Sequence, residues 1–350
     1  MARIVLILTA ALSLTASVCI AAADDPPVLE RFASYLESLR AQAGIPGLAA
    51  AITGPGYGVW TRGFGMANVE RAERVNPNLT LFHLDGTTQV VTTVLVLRCA
   101  EGRVSLDDRL DRFRSDTQEP AATLRQVLTH TSGPPDNLVF SYRPERMDLL
   151  APAVQFCTGE TFRRAVADVL EQTAMADSVP GPDAGRLSAS EGFDQSETDR
   201  YSRAMSRLAT GYTVNGQGAA TPASYSASTL AAWRGLITTV NDFAKFDLAV
   251  KGGSLLRGSI QLAWSAQPGR DGRALPHGLG WFVQSYNGQT VVWQFGSGNA
   301  SSSMIVTVPA RGLTLILLAN SNGLARGFNL AAGDVQVSPF AKAFLGTFLR

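Results

Sequence analysis

The run from Gly86 to Glu101 is apolar on nearly every side. Val90, Val91, Val94, Leu95, Val96 and Leu97 leave it almost no polar face, and Gly102 follows as a stop. A helix of this kind has to lie between other layers, so the rest of the chain must supply apolar surfaces to cover it. Those surfaces are legible at both ends. Pro27 to Ala43 predicts an amphipathic helix, with Leu29, Phe32, Leu36 and Leu39 at helical spacing and Gly44 after it. Two short strands are expected at Leu48–Ile52 and Val59–Gly65, joined through Gly54-Pro55-Gly56. The last third is a meander of four β-rich runs, Gly280–Ser285, Thr290–Phe295, Ser302–Val308 and Leu313–Leu318, and Asn287-Gly288 supplies a hairpin turn. Pro339–Leu349 closes as a helix.

Between these ends the pattern is helical, with helices expected at Leu124–Leu128, Asp148–Phe156, Phe162–Glu171, Ala227–Leu236 and Asp242–Val250. The polar, Gly/Ser-rich stretch from Gly181 to Arg200 reads as a surface loop. Strands at both termini with helices between them predict an α+β fold in three layers (αβα). An antiparallel sheet is flanked by helices, with a mostly helical region inserted. The boundaries are a sheet region at 24–85 and 236–350 and a helical region at 86–235.

Charge narrows the partners. The formal net charge is +1, with no basic stripe, which argues against a nucleic-acid or anionic-membrane partner. Only three lysines occur, Lys245, Lys251 and Lys342. The N-terminus reads as an export signal: Arg3, an apolar run from Ile4 to Ile20, then Ala21-Ala22-Ala23 before Asp24. Residues 1–23 are therefore expected to be a signal peptide cleaved after Ala23, the alternative being an uncleaved anchor. The mature chain, 24–350, is expected to be periplasmic or extracellular, with no membrane span after cleavage. It retains Cys99 and Cys157, which an oxidising compartment would allow to pair. The preferred reading is two small buried hydrophobes on separate helices.

The chain also resembles a known family. Ile45-Pro46-Gly47, Phe64-Gly65, Leu81-Phe82, Leu106-Asp107-Asp108, the run Leu124 to Gly133 ending Leu-Thr-His-Thr-Ser-Gly, Gly278-Leu279-Gly280-Trp281 and Leu318-Ala319-Asn320-Ser321 stand in the order of the β-lactamase-related serine hydrolases. That family includes class C β-lactamases, penicillin-binding proteins, D-alanyl carboxypeptidases and esterases. The resemblance runs from about Pro27 to the C-terminus and implies the β-lactamase/transpeptidase-like fold, with a cleft between sheet and helical regions.

The family's chemistry needs three clusters. The first is Ser-x-x-Lys, in which serine and lysine share a helix face so that the lysine takes the serine proton. Here Gly86-Thr87-Thr88-Gln89 stands in its place, without nucleophile or base, and no lysine precedes Lys245. The second is Tyr-x-Asn, aligned with Tyr142-Arg143-Pro144, which keeps the tyrosine and loses the asparagine. The third is Lys-Thr-Gly or His-x-Gly, aligned with Gln294-Phe295-Gly296, where a neutral amide replaces the cation. Gly296 is expected to let substrate approach the strand. By resemblance the backbone N–H groups of Gly86 and Ser297 would form the oxyanion hole.

Other candidates are weaker. His83 with Thr87 or Thr88 is the one substitute base and nucleophile, against the plainer reading of a strand end and first-turn hydrogen bonds. His130 and His277 read as structural. Three scattered histidines give no metal site, and no cofactor is implied. The expectation is an exported pseudoenzyme that keeps the cleft as a binding or interaction surface for a small molecule or a cell-wall peptide. The alternative is a weak or rewired hydrolase acting on an ester, amide or lactone.

Overall fold

In the computed structural model, which describes residues 26–133 and 138–349, the central sheet takes its strands from both ends of the chain. The chain begins with α1 (Pro27–Gln42), β1 (Gly47–Gly54), β2 (Gly58–Asn68), β3 (Glu73–Arg74) and the short β4 (Phe82–His83). A 3-10 turn at Asp85–Thr87 leads into α2 (Thr88–Ala100). The helical middle contains α3 (Leu124–Leu128), α4 (Ala151–Thr158), α5 (Phe162–Gln172) and α6 (Gln195–Met205). Three small strands follow, β5 (Tyr212–Val214), β6 (Ala220–Pro222) and β7 (Ile237–Thr238). Then come α7 (Val240–Lys251), α8 (Ile260–Ala263), β8 (Phe282–Tyr286), β9 (Gln289–Ser297), β10 (Ser302–Val308), β11 (Leu313–Ala319) and α9 (Pro339–Phe348).

The seven-stranded sheet has the order β3-β2-β1-β11-β10-β9-β8, antiparallel at each pairing. Its register alternates side chains between two apolar cores. Leu48, Ala50 and Ile52 of β1 with Leu315 and Leu317 of β11 join Phe32, Leu36, Phe340 and Phe344 of α1 and α9. Ala49, Ala51, Ile316 and Leu318 face the other way, onto α2 and α7 through Val91, Val94, Phe243 and Phe246. The fold is thus α+β, with helices on both sides of the sheet. The second core runs on into α4 and α5 through Val154 and Val166, so sheet and helical parts share it. The meander turns as expected: Asn287 and Gly288 both have positive φ, +48° and +72°, as a two-residue hairpin turn requires.

Several expectations need correction. Residues 227–236 are not a helix. Ala231 and Arg234 bridge across a tight turn, and the Ala232 N–H is taken by Asp148 Oδ1 at 2.7 Å. Gly235 has φ +98° and lies so close to Thr229 that a Cβ would sit 2.4 Å from its carbonyl oxygen. Long-range partners have claimed the backbone that a helix needs for itself. The stretch read as a loop from Gly181 to Arg200 contains the start of α6. Asp194 accepts the Glu197 N–H and the Glu197 carboxylate accepts the Asp194 N–H, a capping box visible in the sequence as Asp-x-x-Glu. The helix expected from Asp148 begins instead as a 3-10 turn at Pro144–Leu150. The cysteines, read as unpaired, form a disulfide that ties α2 to α4 across 58 residues. Each lies on its own helix, as anticipated, but packing brings their Cα atoms to 5.8 Å. The signal-peptide reading falls on residues outside those described.

Candidate functional site

The turn at Asp85–Thr87 enters the sheet against β9 and β10, and small residues let it do so. Ser303 donates its hydroxyl to Leu84 O at 2.6 Å, and Thr87 Oγ1 lies 2.7 Å from Ser303 Oγ. Because Ser303 has used its proton, Thr87 must be the donor in that pair. A Cβ on Gly296 would sit 2.1 Å from Leu84 O and 3.0 Å from Gly86 N. The absent side chain at 296 therefore makes room for the turn at 84–86. The reverse holds at Gly86, where a Cβ would meet Phe295 O at 2.7 Å and Gly296 Cα at 3.4 Å. Two glycines thus press backbone on backbone at this contact.

Asp85, Ser301 and Ser303 complete this contact, and sequence reasoning passed over all three. Asp85 is buried with φ +45°, accepts a hydrogen bond from the Ser301 hydroxyl, and packs its carboxylate against Gly298. Burial pushes its pKa up to about 6, opposed by the Ser301 hydrogen bond and the charge of Arg234. The available signal was a charged residue inside the otherwise uncharged run from Leu81 to Leu97.

The remaining site positions meet in one hydrogen-bonded chain. Gln89 Nε2 donates to Gly86 O and to the Tyr142 hydroxyl, both at 2.9 Å. Tyr142 donates onward to Gln294 Oε1 at 3.2 Å, and Gln294 Nε2 donates to Gly280 O at 3.1 Å. Gln294 Oε1 also accepts the Phe295 N–H. From Gln89 through Tyr142 and Gln294 to Gly280 each group donates to the next, and the one ionisable member is held neutral, because burial raises the Tyr142 pKa. The chain can hold a shape. It cannot take a proton from a nucleophile near neutral pH. Pro144 opens the 3-10 turn after Tyr142 and carries no side-chain donor. Gly86, Gln89, Gln294 and Gly296 are buried, Tyr142 and Pro144 half-buried, and Ser297 exposed at the end of β9.

Among the described residues no hydrogen bond joins His83 to Thr87 or Thr88. His83 is buried and stacks on Tyr225 at 4.1 Å, and burial lowers its pKa to about 4. Thr87 is engaged with Ser303, and Thr88 Oγ1 is buried without a partner among the described residues. His130 and His277 lie together in an aromatic cluster beside Tyr142. Among the described residues no group of three or more His, Cys, Asp and Glu side chains is placed to hold a metal ion.

The comparisons agree with this architecture. Solved structures similar to this chain include the octameric penicillin-binding protein homologue from Pyrococcus abyssi. It has a TM-score of 0.71 at 19% identity, covering 91% of this chain and 77% of that one. A structure of SurE gives 0.69 at 20% identity, covering 90% and 76%. The penicillin-binding protein from Bacillus halodurans gives 0.66 at 18% identity, covering 82% and 94%. A search of curated proteins finds no match. The family model described as beta-lactamase matches residues 32–337, most of the chain, and the protein belongs to that family.

Proposed function

We propose that this chain is an exported, catalytically impaired member of the beta-lactamase family whose site binds a ligand without acylating it. The observation that carries the reading is the contact at Gly86. The nucleophile position has no hydroxyl, and the space for one is closed by Phe295 O. Gln89 and Gln294, at the two positions where the family has bases or cations, serve instead as links in a neutral hydrogen-bond chain through Tyr142. In serine hydrolases, losing the nucleophile or the base costs on the order of 10⁶ in turnover, about 8 kcal/mol. Among the described residues no hydrogen bond or ion pair supplies a replacement pair.

Export is supported by the signal-like N-terminus and by the disulfide, which belongs to an oxidising compartment. No helix among the described residues is long and apolar enough to cross a membrane. We read residues 24–350 as one domain, with its sheet region at 24–85 and 236–350 and its helical region at 86–235. The ligand class is a small molecule or a cell-wall peptide, met through the exposed Ser297 and its backbone N–H and the half-buried Tyr142 and Pro144.

Intact-mass analysis after incubation with a penicillin and with a fluorophosphonate tests the reading. The expected result is an unmodified mass with both reagents. A stoichiometric adduct within residues 84–91 would overturn it.

A further inference from the structure

The two histidines beside Tyr142 are buried, and each has one ring nitrogen, Nε2, without a partner among the described residues. Their rings meet edge to face at 4.8 Å. Phe140, Tyr142 and Phe282 pack around them, and Phe282 stacks on Trp293, whose Nε1 is also unpartnered. Backbone contacts assign the tautomers. Arg143 donates its N–H to His130 Nδ1 at 3.3 Å, so the proton of that neutral ring is on Nε2. His277 Nδ1 lies 2.9 Å from Gly278 O, a pure acceptor, so His277 is protonated on Nδ1.

We propose that this histidine pair is an acid-released latch that fastens residues 138–143, and with them Tyr142, over the candidate site. The segment is fixed at His130 from both sides: its carbonyl accepts the Ser141 N–H at 2.9 Å, and its ring accepts the Arg143 N–H. Phe140 stacks on His277, and Tyr142 packs on His130 at 4.7 Å. Protonating His130 would set an Nδ1–H against the Arg143 N–H, donor against donor. Protonating His277 would add a buried Nε2–H that has no acceptor among the described residues. The charged groups bearing on His130 are His277 and Arg146, and both oppose its protonation. Glu145 acts on Tyr142, and among the described residues no carboxylate bears on either imidazole.

Each imidazole therefore has its pKa lowered in the closed state, His277 to about 4 and His130 well below its ordinary value. The sign follows from linkage. Above the ordinary value near 6.5 both states are neutral and pH has no leverage. As pH falls below it, the open segment takes up protons that the closed one refuses, so closure weakens. The closed segment also holds Leu138 at φ +68°, a left-handed conformation unfavourable for a bulky residue, and opening relieves it.

Hydrogen exchange of the intact mature protein tests the proposal, read as protection factors so that the intrinsic pH dependence of exchange cancels. Between pH 6.5 and about 4.5, protection of residues 138–143 should fall by more than tenfold per pH unit, approaching a hundredfold where both rings protonate on opening. His277→Phe keeps an aromatic ring in the cluster and should reduce the slope by one proton, to tenfold or less. His130→Asn, which suits the positive φ at that position, should do the same, and His83→Phe should leave it unchanged. Should H130N fail to fold, H277F alone decides the matter. Protection that stays level with pH, or a slope that H277F leaves intact, would overturn the latch. Equal loss of protection in β11 would also overturn it, because the event would then be global unfolding.

Discussion

Adding one carbon at Gly86 tests the reading of the site most directly, because two physical terms of opposite sign compete there. Gly86 does not occupy the left-handed region, so its backbone conformation admits an L side chain. If space were open, Gly86→Ala would stabilise the fold by about 0.4–1 kcal/mol by removing freedom from the unfolded chain. The structure argues for the reverse. The new Cβ would lie 2.7 Å from Phe295 O, roughly half an ångström inside contact. Phe295 lies in β9 opposite Met304 of β10, so its carbonyl cannot simply swing aside. Overpacking of this kind costs about 1–3 kcal/mol, which outweighs the entropic gain. Gly86→Ala and Gly86→Ser should both unfold at lower urea concentration than the parent, with unchanged slope, and by similar amounts because the shared Cβ is the cause. Gly86→Ser should also stay unlabelled by fluorophosphonate, since Gln89 gives its hydroxyl no base. A Gly86→Ala protein as stable as the parent, or more so, would refute the closed contact and with it the main support for impaired catalysis.

Asp85 offers a pH-dependent test. Its pKa is raised by burial from 3.8 to about 6, so its charge destabilises the fold above pH 6, and that cost is removed as pH falls toward 4. Asp85→Asn, a residue that tolerates positive φ, should stabilise the protein by up to about 3 kcal/mol at pH 8 and by little at pH 4. Equal effects at both pH values would show that Asp85 is not a buried ionised group. The disulfide closes 58 residues, for which chain entropy gives about 4 kcal/mol. Cys99→Ser with Cys157→Ser should lower stability by about 2–4 kcal/mol. The parent should also resist alkylation until reduced, and two alkyl groups on the unreduced, denatured chain would contradict the pairing.

The sequence alone determined what depends on residues near one another in the chain. The apolar run after Gly86 had to become a buried helix, Asn287-Gly288 had to turn a hairpin, and apolar residues in β1 and β11 had to be covered on both sides. The same locality made Gly86 and Gln89, one helical turn apart, readable as a candidate pair of site positions. It made the α6 capping box legible as well, although that stretch was read as loop. Tertiary structure decided whatever depends on partners far away in sequence. It paired Cys99 with Cys157 and drew residues 227–236 out of the helical state by giving their backbone to Asp148. It also linked Gln89, Tyr142 and Gln294 into one chain and set Phe295 O against Gly86. The reason lies in the range of the interactions. Periodicity and turn chemistry act over a few residues, whereas these contacts join positions from 53 to more than 200 residues apart, whose approach is fixed only once both cores are packed.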